Sequence, residues 1–594
     1  MSADILPLTM KTPTHIARLR SISSLHSLAR LLGYEPKGLA YVVYGIDDKY
    51  KYTDFQIPKR RGGVRTISAP IEKLKLLQRR VATLLDACVE EIDAERGVRN
   101  TLSHGFRKKH SILTNAAPHR NRRYVFNVDL HNFFGTVDFG RVVGYLKKNK
   151  HFQLNPTVAR MLAQIACHQK VLPQGSPCSP AIANLIAHIL DIRLGRLAAR
   201  NDCHYSRYAD DLTFSTNRPV FPSEIARRVG DTNEWVAGKI LLKIIKESRF
   251  EINPEKTRMQ FARFRQDVTG VIVNRTLNVR REYVKNARAM VDSYVTKGVF
   301  YSEKQYRDEK GAWTNELVDG TVGQLRGILS YIDSVRLFEQ QKHASAKKTK
   351  RDYRVPRVEI KDMDSAARTF RRFLLHTQFF NPEKPLIICE GKTDKVYIQC
   401  ALRQLVDAHP QLATRTKSGV DIHVSFFNFT KVADRILRLG GGTGDFQDLI
   451  AKYGTEFKGF YAKGQRQPVI LLVDNDDGTK KIFSTVKTAT GSKTAIDGSA
   501  SFYHIADNFY VVAVPQLGKK DTTIENFFDP VVLTERLGTK VFSGKDQFDP
   551  ATQYGKHHFA EYVVKKKQNT INFAGFEPIL ARLDAVLKEH AAKP

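Results

Sequence analysis

Three aspartates at two places in the chain carry the first chemical signal. Tyr124-Val125-Phe126-Asn127-Val128-Asp129 reads as a strand ending on an acid, and Tyr205 through Phe214 reads as a hairpin with Asp210 and Asp211 at its tip. Adjacent aspartates repel, and burying them without a cation is costly. Two divalent ions about 3.5–4 Å apart need such a cluster and use it for in-line phosphoryl displacement. An Asp-Asp pair by itself is as often an ordinary turn, so its surroundings decide. A second acidic set lies far downstream. Leu386-Ile387-Ile388-Cys389 is an apolar strand followed by Glu390, Gly391 and Lys392, with Asp394 on the first turn of a helix. The run from Val469 to Val473 delivers Asp474-Asn475-Asp476. In open α/β sheets, sites form where carboxyl ends of parallel strands meet, so strands ending in Glu and Asp-x-Asp can build a metal cage for phosphodiester chemistry. Each of these acids alone is more commonly a loop residue or a helix N-cap.

These acids need elements to hold them. An amphipathic helix near Ile22, Leu25, Leu28 and Leu32 opens the fold, mixed strands and helices run to about residue 275, and a helix-rich stretch follows to about 340. The segment from Gln341 to Arg354 is Lys-rich and almost without large apolar residues, as in an exposed arm or linker. A helix from Ala366 to Leu375 precedes Asn381-Pro382-Glu383-Lys384-Pro385, a domain boundary by composition. Beyond it LIICE, DIHVSFFNF, VILLVD and YVVAVP alternate with helices, and continuous apolar strands of that kind belong in a parallel sheet covered on both faces. Leu439-Gly440-Gly441-Gly442-Thr443-Gly444 lacks the Lys-Ser/Thr of a phosphate loop and reads as a Gly-rich turn.

The bulk properties are consistent with nucleic-acid chemistry. A chain of 594 residues exceeds a single core, so roughly two to four domains are expected. Lys and Arg number 95 against 61 Asp and Glu, a net charge of +34. An imbalance this large stores self-repulsion that a polyanionic partner relieves. The cations cluster at Lys59-Arg60-Arg61, Arg120 to Arg123, Lys347 to Arg351 and Lys565-Lys566-Lys567. The six cysteines form no CxxC pair, which argues against zinc and a disulfide framework and for a reducing cytoplasm. No apolar run of about 18 residues offers a membrane span, and the N-terminus does not read as a secretory signal.

Several motifs resemble those of reverse transcriptases, in order. Tyr208-Ala209-Asp210-Asp211 is similar to their YxDD box, and Asn127 to Phe134 to their first acidic motif. Leu172-Pro173-Gln174-Gly175-Ser176-Pro177 resembles the nucleotide-pocket motif, Ile57-Pro58-Lys59 through Arg65-Thr66-Ile67 the fingers segment, and Asn253 to Thr257 the later lysine motif. Asn115-Ala116-Ala117-Pro118-His119 and Val268-Thr269-Gly270 resemble the NAxxH and VTG elements of retron reverse transcriptases. That resemblance covers residues 20 to about 340. It implies a right-hand α+β polymerase of fingers, palm and thumb, which copies part of a structured noncoding RNA with dNTPs and stays bound to the RNA-linked single-stranded DNA. It further implies two Mg²⁺ ions on Asp129, Asp210 and Asp211 with the Leu130 carbonyl as a further ligand. Phe134 is implied as the steric gate against a ribose 2′-hydroxyl, Lys59 and Arg65 as triphosphate clamps, and Gln174 and Gly175 as the pocket lining. Lys256 is implied as proton donor to pyrophosphate, with Asn115, His119, Val268, Thr269 and Gly270 at the RNA. Core packing is the alternative for Phe134, and a plain surface lysine the alternative for Lys256.

The downstream acids resemble the Toprim fold, an α/β, Rossmann-like domain. Glu390-Gly391-x-x-Asp394 and Asp474-x-Asp476 match its two motifs, and Ile524-Glu525-Asn526-Phe527 is similar to the extra acidic element of Toprim nucleases. The resemblance implies one or two Mg²⁺ ions on Glu390, Asp394, Asp474, Asp476 and Glu525. A topoisomerase would need a separate tyrosine domain, for which too few residues follow. The expected order is N-terminal helices and fingers over 1–120, palm with part of the fingers over 121–275, thumb and basic linker over 276–380, and Toprim over 381–594. Such fusions resemble bacterial anti-phage defence systems in which the RNA–DNA molecule restrains the effector; a homo-oligomer is compatible, a membrane is not expected. The alternatives are a group II intron-like reverse transcriptase and a non-catalytic nucleic-acid scaffold.

Overall fold

The computed structural model describes residues 13–58, 63–95, 97, 101–307, 313–346, 357–464, 466–518, 521–545 and 547–593. The chain divides into two compact units, Met1–Arg281 with Gln305–Glu316, and Glu282–Lys304 with Leu317–Pro594. Most of the stretch expected as thumb and linker therefore groups with the C-terminal unit.

In the first unit, helix Leu25–Leu31 starts at a capping box in which Ser24 and Ser27 satisfy each other's backbone amides. Strands Tyr52–Pro58 and Val64–Pro70 form an antiparallel hairpin, with Ile57 opposite Arg65. The central element is a four-stranded antiparallel sheet in the order His204–Tyr208, Asp211–Thr216, Tyr124–Leu130, Ile252–Phe261. Tyr124–Leu130 lies inside the sheet, and Val125, Phe126, Val128, Asp129 and Leu130 are all buried. The long helix Ser179–Arg200 packs against this sheet and buries Ile182, Leu190, Asp191 and Leu194. The helix-rich region after residue 275, grouped almost wholly with the second unit, contains Arg281–Lys297 and Val322–Ala346. The expected linker is corrected in part: 341–346 continue the helix, while 347–356 lie outside the described residues.

The second unit holds a five-stranded sheet in the order Ser425–Phe426, Leu386–Cys389, Val469–Val473, Phe509–Ala513, Tyr503–Ala506. The first four strands are parallel and the last is antiparallel. Every residue of Val469–Val473 and of Phe509–Ala513 is buried, as a sheet covered on both faces requires. On one face Ile387, Ile470, Leu472 and Val512 share a core with Tyr397, Leu402, Leu580 and Leu583. The segment DIHVSFFNF is not one strand. Gly419–Ile422 pairs antiparallel with Ala413–Thr416, and only Ser425–Phe426 reaches the sheet. The amide of His423 bonds to the Leu412 carbonyl and that of Ser425 to the Pro385 carbonyl, so the backbone changes partners within three residues. Among the described residues no helix is long and apolar enough to cross a membrane.

Two candidate carboxylate sites

Strand register brings the first three acids together. Asp129 pairs directly with Asp211, and Tyr208 with Asp211 across a two-residue turn of Ala209 and Asp210. Ala209 sits at φ 56°, a left-handed conformation that costs a non-glycine residue about 1–3 kcal/mol. The Leu130 amide donates to the Asp210 carbonyl at 2.9 Å, which ties the turn to the neighbouring strand. Between Asn127 opposite Arg258 and Asp129 opposite Asn253 the partner strand carries extra residues, a bulge that includes Lys256. The Lys256 ammonium lies 2.9 Å from Asp129 Oδ2.

Burial, reinforced by Asp210 and Asp129, pushes the Asp211 carboxyl up to about 7, and burial with Asp129 raises Asp210 above the ordinary carboxylate range. Carboxylate oxygens this short of positive charge are the hard donors that suit Mg²⁺. Among the described residues no three His, Cys, Asp or Glu side chains are already drawn into a metal cage, so closure on a cation requires side-chain rotation.

A cleft of about 580 Å³ opens beside these acids, and its lining includes Arg65, Phe106, Asp129, Phe134, Gln174, Asp210 and Lys256. Phe133 and Phe134 divide their roles. Both residues border the cleft, but the Phe133 ring is buried and stacks on Phe250 at 5.7 Å, whereas Phe134 is half-buried, with the Phe106 ring of the cleft lining 6.2 Å away. The amide of Ser68 in the hairpin of Tyr52–Pro58 and Val64–Pro70 donates to the Gln174 carbonyl at 2.8 Å. Gly175, at φ 122°, is where a side chain cannot fit: a Cβ would stand 2.6 Å from the Ser68 carbonyl oxygen. Lys59 lies outside the described residues.

Asn115 and His119, expected at the RNA, lie inside the fold. Both are fully buried. The His119 ring bridges Ser215 Oγ and Ser206 Oγ at 2.7 Å each, and the Ser206 hydroxyl donates to Asn115 Oδ1 at 2.8 Å. These side chains tie together the two strands of the hairpin that carries Asp210 and Asp211. Val268 is likewise buried, while Thr269 (φ 48°) and Gly270 (φ 83°) form the tight turn of a short hairpin and leave Gly270 exposed.

The second set assembles at the carboxyl ends of Leu386–Cys389 and Val469–Val473. Glu390 Oε2 accepts from the Asp474 amide at 3.1 Å, Asp474 Oδ1 from the Ile524 amide at 2.8 Å, and Asp394 Oδ2 from the Gly391 amide at 2.7 Å. Asp394 and Glu525 are buried. Burial, together with Asp394, Glu390 and Glu525, pushes the Asp474 carboxyl up to about 8, and burial with Glu525 lifts Asp394 to about 6. Asp476 stands beside this group and caps a short helix, accepting from the Thr479 amide and hydroxyl at 3.2 Å each. One residue the sequence did not single out completes the set: the Lys556 ammonium lies 3.0 Å from Glu525 Oε1. Each carboxylate cluster thus carries one lysine as counter-ion.

These shifts have a consequence for stability. An unfolded aspartate titrates near 3.9, so above that pH the folded chain holds protons that the unfolded chain has lost, and stability falls as pH rises toward the folded values. Without divalent metal, the melting temperature is expected to fall between pH 5.5 and pH 8. Added Mg²⁺ should raise it more at pH 8 than at pH 5.5, because cations replace protons on the same oxygens. Thermal melts at both pH values with EDTA or Mg²⁺ check this; a Mg²⁺ effect independent of pH would contradict it.

Comparison with known proteins bears on the first unit. Residues 57–286 match the family model described as reverse transcriptase (RNA-dependent DNA polymerase). The retron Mx65 reverse transcriptase of Myxococcus xanthus is 39% identical over 255 residues, 40% of this chain and 55% of that protein. The retron Mx162 reverse transcriptase of the same organism is 33% identical over 296 residues, 46% of this chain and 59% of that one. The retron Ec86 reverse transcriptase of Escherichia coli is 28% identical over 326 residues, 54% of this chain and 92% of that one. The chain therefore spans little more than half the length of the two Myxococcus relatives. Among solved structures, telomerase from Candida albicans covers 55% of this chain and 60% of its own, at 11% identity and a TM-score of 0.29, too loose to bear weight. Residues 57–286 are therefore similar to the reverse transcriptase domain that these retron enzymes carry.

Proposed function

We propose that this chain is the RNA-directed DNA polymerase of a retron, synthesising RNA-linked single-stranded DNA from a noncoding RNA, and that its C-terminal unit is a Toprim-type nuclease acting in anti-phage defence. The observation that carries the polymerase reading is one cleft lined by Asp129 and Asp210 together with Arg65, Phe134, Gln174 and Lys256. In this reading the primer hydroxyl oxygen attacks the α-phosphorus of a dNTP, the bond to pyrophosphate breaks, and the hydroxyl proton passes to solvent water. Asp129, Asp210, Asp211 and the Leu130 carbonyl would hold Mg²⁺, which would supply Lewis-acid stabilisation of the phosphoryl group. Arg65 neutralises triphosphate charge, Lys256 donates a proton to the departing pyrophosphate, and the Gln174–Gly175 backbone shapes the base pocket. The nuclease reading is supported by Glu390, Asp394, Asp474 and Glu525 gathered where parallel strands end, with Asp476 beside them. A group II intron-like enzyme is the second reading. The test is to isolate the protein from cells and sequence what it holds: a branched RNA–DNA molecule supports the retron, an intron RNA the alternative, and no nucleic acid would count against both.

The cleft position of Phe134 yields a sharper test. With the ring at the cleft and Phe133 filling the core, Phe134→Ala should admit ribonucleotides at least about tenfold better while keeping much of the dNTP activity, since one excluded contact is worth about 1–3 kcal/mol. Incorporation of the two nucleotide types at equal concentration reads this out. Unchanged discrimination with a lowered melting temperature would make the ring a core residue.

A further inference from the structure

We propose that Arg207 is the positioning residue of the polymerase site, holding the Ala209–Asp210 turn in the strained shape that presents its carboxylates; this rests on the polymerase reading above. Arg207 is fully buried, and its five N–H donors meet five acceptors. Nε and Nη2 form a fork on Asp191, at 2.7 Å to Oδ1 and 2.8 Å to Oδ2. Nη2 also donates to Ser103 Oγ at 3.0 Å, and Nη1 to Asn184 Oδ1 at 3.1 Å. The fifth bond is the informative one: Nη1 donates to the Ala209 carbonyl at 3.0 Å. That carbonyl belongs to the left-handed residue between Tyr208 and Asp210.

The surroundings converge on the same turn. A Cβ at Gly105 would stand 2.5 Å from the Ala209 amide, so the backbone beside Ser103 presses directly on it. Asp191 is also held by the Tyr205 hydroxyl at 2.9 Å, from the same strand two residues before Arg207. The Phe133 ring lies 5.7 Å from the guanidinium, next to Phe134 at the cleft. A buried ion pair is a poor source of stability, because desolvating both charges cancels most of their attraction. What this one adds is a fixed address for a strained turn. Only arginine has the geometry: a lysine ammonium can hold Asp191 or the carbonyl, but it cannot form the fork and reach the turn together.

The experiment uses the full-length protein extending a DNA primer on an RNA template. Arg207→Lys keeps the buried charge paired, and the double variant Arg207→Met/Asp191→Leu removes both charges without leaving one alone. Both are expected to fold by circular dichroism. The KM for dNTP should stay near wild type, because Arg65, Phe134 and Gln174 keep their places in the cleft, while kcat falls about a hundredfold in the double variant, as for a reacting group displaced by about 1 Å. Arg207→Lys should recover part of that loss. A folded double variant with wild-type kcat would overturn the inference, as would a loss of rate no larger than the loss of folded protein. Absence of extension by the wild-type enzyme would instead remove the polymerase reading itself, so the two failures are distinguishable.

Discussion

Asp210→Asn should lower DNA synthesis by roughly a hundredfold or more and leave the fold intact or slightly firmer. Metal-borne charge stabilisation is worth several kcal/mol, and about 1.4 kcal/mol corresponds to each tenfold in rate. The amide keeps the size of the side chain but loses the charge. It also removes one negative partner from a cluster in which burial, reinforced by Asp210 and Asp129, holds the Asp211 carboxyl up to about 7. Activity and stability are therefore expected to move in opposite directions. Primer extension and thermal melting in EDTA, run on the same preparation, test both signs. Normal amounts of RNA-linked DNA in cells carrying the variant would sink the assignment of this hairpin to catalysis.

The second large effect separates the two carboxylate sets. Asp129, Asp210 and Asp211 belong to one compact unit, and Glu390, Asp394, Asp474 and Glu525 to the other. Substitutions in separate cores act independently when they share no partner. Glu390→Ala or Asp474→Ala should leave RNA-linked DNA at normal levels and abolish protection against phage. Asp211→Ala should abolish that DNA, and with it either the protection or the restraint on the nuclease. If restraint is lost, uninfected cells are poisoned, and the poisoning vanishes when Glu390 is also replaced. Phage plating, cell viability and gel analysis of the DNA together decide the matter. Cells with Glu390→Ala that make no RNA-linked DNA, or that still resist phage fully, would refute the two-enzyme reading.

Both acidic sets were legible in the chain because strands announce themselves locally. The run from Tyr124 to Asp129 and that from Val469 to Asp474 each place an acid at the end of an apolar segment, and period-two geometry turns that into an address. The YADD hairpin was legible for the same reason. The segment DIHVSFFNF shows the limit: its apolar content suggested one strand, but backbone partners far away in sequence split it.

What the sequence alone determined was the inventory of chemistry, namely paired carboxylates on two sets of strands, a surplus of cations and a parallel sheet downstream. Tertiary structure decided which side chains face a cleft and which face a core. Phe133 and Phe134 are adjacent and identical in type, yet only packing against Phe250 sends one inward. Asn115 and His119 look like polar surface residues until they are found bridging Ser206 and Ser215. The pairing of Asp191 with Arg207 was not legible in the sequence and is visible only once the strand lies against the helix. Of the counter-ions, Lys256 was marked by its motif but not as a partner of Asp129, and Lys556 carried no sign in the sequence. Lys256 reaches Asp129 through a bulge, and Lys556 reaches Glu525 across the fold. Backbone periodicity acts between neighbours in sequence and can be read there. Charge compensation acts through a few ångströms of space, and only the folded chain sets which residues share that space.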